Sequence, residues 1–261
     1  RGGADDGYAL FAALGAILAL GDLGIPFPSC RILIEASEES GSPDLPAYLA
    51  DAEVGSYLGT PDAVICLDSG CKTYDQLWLT TSLRGLISAT LRVGVLAHSV
   101  HSGDAGGIVP SPHRIMRMLL ARIEDATTGD ILLPELHTTP SADTRQTVQE
   151  THEAVSGQIY RTFPFLPGVC PANPNVRQLI LSNIHLPTLE VIGVEGVPGL
   201  DGGNAIAPWI AHKLSLRLPP TCDVHTAAEA LHKALTENPP YGAQISCTID
   251  SVSPGWSGRR L

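Results

Sequence analysis

The chain has little positive charge, no long apolar run and no close pair of cysteines. Its 16 Lys and Arg stand against 27 Asp and Glu, a formal net charge of -11. That balance excludes the basic face that nucleic-acid phosphates require, so no nucleic-acid partner is expected. No apolar stretch reaches the roughly 20 residues needed to span a bilayer, so no membrane partner is expected either. No signal-peptide pattern is visible. The 6 cysteines (Cys30, Cys66, Cys71, Cys170, Cys222, Cys247) contain no Cys-x-x-Cys pair. In a chain of this size they predict reduced thiols in a reducing compartment, the cytoplasm. Several chemistries lack their signatures. There is no Gly-x-Ser-x-Gly elbow for a serine hydrolase. Gly193, Gly196 and Gly199 are poorly spaced for a dinucleotide fingerprint, and His152-Glu153 lacks the second His of a zincin helix.

What is present fits a globular protein: 261 residues, 44% hydrophobic and 16% charged, enough for one large domain or two ordinary ones. In the first third, helical and strand patterns alternate. Leu10, Leu14, Ile17, Leu18 and Leu20 form a helical stripe between Tyr8 and Leu23, and Leu45 to Leu58 reads as a second helix. Ile32-Leu33-Ile34 and Ala63 to Leu67 read as buried strands. Helix and strand in alternation predict parallel strands joined by crossovers. After Asp75 the pattern changes, and a second domain is expected to begin near residue 82. Strands are expected over Gln76 to Ser82, Ile87 to Val95, Leu189 to Val194, Trp209 to Leu218 and Gln244 to Ile249. Helices are expected over Pro112 to Glu124, Ser141 to Tyr160 and Val224 to Leu235, and a polar flexible loop over His98 to Gly107. Strand-helix-strand-strand-helix-strand order predicts a ferredoxin-like α+β sandwich.

The carboxylates carry the chemical signal. Glu38 and Glu39 follow the end of one expected strand and Asp68 the end of the next, while Asp5 and Asp6 precede a helix. In an open α/β sheet such positions share one edge, where ligands bind. Carboxylate loops gathered there make a cation site, with one neighbouring Glu as ligand and the other as proton acceptor. Each alone also fits a helix cap or a solvated acidic turn. Three carboxylates without imidazole favour Mg or Mn over Zn on ligand type.

Several motifs occur in order: Gly2-Gly3-Ala4-Asp5-Asp6-Gly7, Glu38-Glu39-Ser40-Gly41-Ser42, Leu67-Asp68, Leu83-Arg84-Gly85, His101-Ser102-Gly103 with Gly106-Gly107, and Leu214-Ser215-Leu216-Arg217-Leu218-Pro219. Together they resemble the dizinc exopeptidases, the family of carnosinase, cytosolic nonspecific dipeptidase, aminoacylase and glutamate carboxypeptidase, and most closely the carnosinase-like branch. The resemblance implies a truncated parallel-sheet catalytic domain over residues 1–81. It implies an inserted ferredoxin-like lid and dimerisation domain over 82–254, and a return to the catalytic domain over 255–261. It implies that Asp5 bridges two zinc ions (manganese being the other candidate), with Glu39 and Asp68 as further metal ligands and Glu38 as general base. His101 would stabilise the oxyanion in the partner subunit's site, and Asn204 and Arg217 would bind substrate. The implied activity is hydrolysis of dipeptides or N-acyl amino acids by a homodimer paired through the lid. Two departures stand out. No His-x-Asp ligand motif occurs, and Gly7 replaces a Lys common in the family. The chain therefore reads as a fragment, and the competing expectation is a catalytically incomplete module that works in dimerisation.

Overall fold

The computed structural model describes residues 2, 3, 5–155 and 159–258. Ala4 of the first Gly-rich motif, 156–158 of the expected helix and 259–261 of the expected return segment lie outside the described residues. The chain divides into two compact units, Arg1–Cys71 and Lys72–Leu261.

In the first unit, α1 (Ala9–Asp22) forms where the Leu stripe predicts it. The second expected helix is split into α2 (Leu45–Ala50) and α3 (Ala52–Leu58). Asp51 causes the break. Its backbone is extended, and its carboxylate accepts from the N–H groups of Glu53 and Val54 at 2.9 and 3.1 Å, starting a new helix. The expected parallel strands do not form a ladder among the described residues. Residues 32–34 and 63–67 run without strand pairing, and Val64 and Ile65 are each 83% exposed. A parallel strand is stabilised by neighbours on both sides and by covered faces, and these runs have neither.

The second unit is built on a four-stranded antiparallel sheet. After the short β1 (Ser82–Leu83) comes β2 (Gly85–Gly94), then the short β3 (Val100–His101) and α4 (Ser102–Ala105). Helices α5 (Pro112–Leu120), α6 (Ala142–Val155) and α7 (Val176–Ile184) follow. The remainder is β4 (Thr188–Glu195), β5 (Ala205–Ile206), β6 (Trp209–Leu218), α8 (Val224–Thr236), β7 (Gln244–Ser253) and β8 (Trp256–Ser257). The main sheet runs β4-β6-β2-β7, with every pairing antiparallel. Leaving out the short ribbons and α6–α7, the order is β2-α5-β4-β6-α8-β7, the ferredoxin-like arrangement.

Period-two alternation decides which face is covered. Ile87, Ala89, Leu91 and Val93 of β2 and Ile210, Leu214, Leu216 and Leu218 of β6 are buried. They join one core with Ile115, Met116 and Leu119 of α5 and Ala227, Leu231 and Leu235 of α8. Helix α8 starts on Asp223, whose carboxylate accepts from the N–H groups of His225 and Thr226. Those bonds hold the Asp223 carboxyl below its ordinary pKa. Arg122, just past α5, donates to the carbonyls of Ala234, Glu237 and Asn238 and so ties the two helices together. A smaller core of Val148, Val155 and Ile180 joins α6 to α7. Of the stretch expected as a strand over 76–82, only Ser82 pairs, with Ser257 of β8.

Candidate functional site

The loop expected to be flexible over 98–107 is an ordered ribbon followed by a helical turn. Strand β3 pairs with β5, placing Val100 opposite Ile206 and His101 opposite Ala205. The Ser102 N–H then donates to the Asn204 carbonyl at 2.8 Å. The backbones of His101 and Asn204, 103 positions apart in sequence, are thereby brought to neighbouring positions of one ribbon.

His101 caps α4. Its Nδ1 accepts the Gly103 N–H at 3.1 Å, and an Asp104 carboxylate oxygen lies 4.0 Å from the same nitrogen. A Cβ on Gly103 would sit 2.9 Å from the His101 ring, so a residue with a side chain could not take that place without a shift. In a neutral imidazole only one nitrogen carries a proton. With Nδ1 as acceptor the proton resides on Nε2. His101, whose side chain is 62% exposed, therefore presents an N–H donor.

Arg217 lies on the uncovered face of the main sheet, opposite Leu86 on β2 and Thr188 on β4. It is exposed. The same face carries Lys213, paired with Asp250 at 2.8 Å, and Arg92, whose guanidinium stacks 4.0 Å over the Trp209 ring. The Lys213 bond and a second from Thr90 hold the Asp250 carboxyl below its ordinary pKa. Arg84, which sequence reasoning quoted without a role, also reaches this region. It donates to Ser182, Leu186 and Thr188. Nothing in the local pattern of Leu83-Arg84-Gly85 could have found those acceptors, about 100 residues away in sequence.

The ribbon and Arg217 do not converge. Asn204 precedes β5, which leads directly into Trp209 at the start of β6, whereas Arg217 is near that strand's far end. Eight residue steps at about 3.3 Å separate Trp209 from Arg217 by ~27 Å.

In the first unit, Glu38 and Glu39 form a single 3-10 turn that ends at Gly41 in the left-handed region. Tyr8 donates to the Leu67 carbonyl at 2.5 Å, which brings the Asp5–Asp6 turn close to the segment carrying Asp68. Asp5, Glu38, Glu39 and Asp68 are all exposed. Among the described residues no group of three or more His, Cys, Asp or Glu is placed to hold a metal ion. The donor type of Asp5, Glu39 and Asp68 suits a divalent cation, but their arrangement here does not fit one.

The chain belongs to the M20 peptidase dimerisation domain family, whose model matches residues 81–243. It is 26% identical over 242 residues to a cysteinylglycine-S-conjugate dipeptidase of Corynebacterium striatum, which covers 90% of this chain and 49% of that protein. The chain thus spans about half the length of that curated relative. Two solved structures share its fold. The dipeptidase Dug1p of Saccharomyces cerevisiae aligns with TM-score 0.69 at 22% identity, over 99% of this chain and 55% of that one. Human carnosine dipeptidase 1 aligns with TM-score 0.70 at 20% identity, over 99% and 56% respectively.

Proposed function

We propose that this chain supplies the lid, residues 82–254, and part of the catalytic layer, residues 1–81, of a metal-dependent hydrolase. Its substrates are dipeptides or N-acyl amino acids, and it acts in the cytoplasm as a homodimer paired through the lid. The observation that carries this reading is the ribbon that fixes His101 beside Asn204 with the imidazole proton on Nε2. A donor of that kind is what a tetrahedral oxyanion needs. Glu38 accepts the proton of the attacking water, and Arg217 forks onto the free carboxylate of the substrate. A divalent metal, zinc or manganese, would polarise the scissile carbonyl and the water. Asp5, Glu39 and Asp68 are the donors this chain offers such a metal.

The span along β6 supports the homodimer. Within one lid, Arg217 lies ~27 Å along β6 from Trp209, where the chain of the ribbon enters that strand. Strand β4 is an edge of the sheet, with Val191, Ile192 and Val194 at 43%, 62% and 61% exposure. It carries neither Lys nor Pro to block pairing. Two β4 edges paired antiparallel about a two-fold axis normal to the sheet keep both open faces on one side. Arg217 of one copy then lies about three strand spacings, ~14 Å, from the ribbon end of β6 in the other.

In the full-length protein, Glu38→Gln should abolish dipeptide hydrolysis and leave bound metal near the wild-type level. The amide keeps the shape but cannot take the proton. Retained turnover, or metal lost in step with activity, would sink the assignment. A second reading is a catalytically incomplete module whose work is dimerisation, and it is favoured by the carboxylates that do not converge. Wild-type full-length protein that dimerises, binds no metal and hydrolyses no dipeptide would establish it.

A further inference from the structure

We propose that Arg84 is a positioning residue for the substrate carboxylate, acting beside and through Arg217. The proposal rests on the reading of Arg217 given above. Arg84 precedes β2, and Thr188 opens β4, with β6 lying between those strands. The Arg84 Nη1 atom donates to Thr188 Oγ1 at 3.2 Å, so the side chain crosses β6. It starts just beyond the last β2–β6 pair, Gly85 with Leu218, and ends at Thr188, the β4 partner of Arg217, whose β2 partner is Leu86. Beyond Thr188, the same Nη1 reaches the Ser182 and Leu186 carbonyls at 3.1 and 3.3 Å. Ser182 is in the last turn of α7, where a cation is favoured, and Leu186 lies two residues past its end.

The guanidinium of Arg84 is consequently half-buried and fixed, and neither it nor Arg217 forms an ion pair with a carboxylate among the described residues. Burial first, and then the field of Arg217, lower the Arg84 pKa, so the two like charges act on each other. Two guanidinium groups that act on each other and are not ion-paired repel, and an incoming carboxylate relieves that repulsion; Glu190, opposite Ser215, is an acidic position on the same face. Arg217 is exposed and free to fork onto the anion. Arg84 is held by carbonyl oxygens, keeps Arg217 directed away from itself, and adds a second positive charge behind it. A lysine at position 84 would retain the charge but would exchange the planar fork for a single ammonium.

The test is equilibrium binding, by calorimetry, to the intact metal-stripped protein, in which hydrolysis cannot intervene. The probes are glycylglycine and its C-terminal amide. Wild type should prefer the free acid. Arg84→Met should weaken glycylglycine about fivefold and leave the amide within roughly twofold, while Arg84→Lys should fall between wild type and Arg84→Met. Equal weakening of both probes by Arg84→Met would mean a purely structural role and would overturn the proposal. Should Arg84→Met not fold, Thr188→Val removes one anchor of Arg84 and should reduce the preference for the acid in the same sense; an unchanged preference would overturn it. Arg217→Met separates the two layers of argument. If it abolishes the preference and Arg84→Met does not, only the role of Arg84 falls. If Arg217→Met leaves the preference intact, the carboxylate anchor itself is wrong and the role of Arg84 falls with it.

Discussion

His101 offers the sharpest perturbation, because its cost to the fold and its cost to the chemistry can be separated. The side chain is 62% exposed and is not among the buried residues of either core. Replacing it with Ala removes the Gly103 N–H bond that caps the four-residue α4 and the 4.0 Å approach of the exposed Asp104 carboxylate. Losing a capping bond costs about 1 kcal/mol at most sites, and here the turn is already held by β3–β5 pairing. The His101→Ala protein should therefore melt within a few degrees of wild type. The chemical cost is larger. Removing one oxyanion donor lowers kcat by roughly 10²–10³, and the loss should fall on kcat more than on KM. His101→Asn sharpens the contrast, since Asn is a strong capping residue. It should restore the melting temperature and leave kcat low. The assay is dipeptide hydrolysis by the full-length protein, together with thermal unfolding. A complementation experiment then tests the cross-subunit role. His101→Ala and Glu38→Gln subunits, each inactive, are mixed and allowed to exchange, and a hybrid dimer holds one site with both residues intact. If exchange is confirmed by mass and the mixture stays inactive, His101 does not act across the interface. A parallel loss of melting temperature and activity in His101→Ala would instead make it a structural cap.

Ile192→Lys on the β4 edge, where Ile192 is 62% exposed, should place like charges together at a two-fold interface and weaken the dimer at least about tenfold, ~1.4 kcal/mol, by sedimentation velocity; an unchanged dimer would move the interface elsewhere. His212 titrates below its ordinary 6.5, through burial first and His113 second, and its Nδ1 has no partner among the described residues. The unfolded chain then binds more protons in the interval between that lowered value and 6.5, so stability should fall as pH drops through it, and His212→Leu should flatten the dependence of melting temperature on pH. The 261-residue chain should bind zinc far more weakly than the full-length protein, because its carboxylates do not converge; tight stoichiometric binding by calorimetry would show the site to be misplaced.

The lid was legible because antiparallel strands declare themselves locally. Leu214, Leu216 and Leu218 alternate with Lys213, Ser215 and Arg217, and the structure buries the first set and leaves the second on the open face. The helix over 224–235 was equally plain, with Asp223 ready to cap it. The first unit was less legible for a physical reason. Ile32-Leu33-Ile34 and Val64-Ile65 have the composition of buried parallel strands, but composition does not supply the neighbouring strands that would pair them. Asp51 could have been read as the start of a new helix, since a short polar acceptor before Glu53 is a capping signal. The apolar periodicity from Leu45 to Leu58 concealed it.

The site divides along the same line. His101, Asn204 and Arg217 could be singled out from motif order, but motif order carries no distances. Only the registers reveal that the ribbon holding His101 and Asn204 lies at one end of β6 and Arg217 near the other. Residues that the proposed mechanism places on one small substrate are thus tied to opposite ends of a ten-residue strand. Bending the strand would break the ladders on both its sides, so the separation is a property of the lid. A catalytic reading that uses both ends is met by a second copy, and the β4 edge beside β6, though irregular between Val191 and Gly193, is where that copy has hydrogen-bonding groups to pair with. On this argument dimerisation completes the site, and a variant that stays folded as a monomer should lose turnover as completely as one lacking His101.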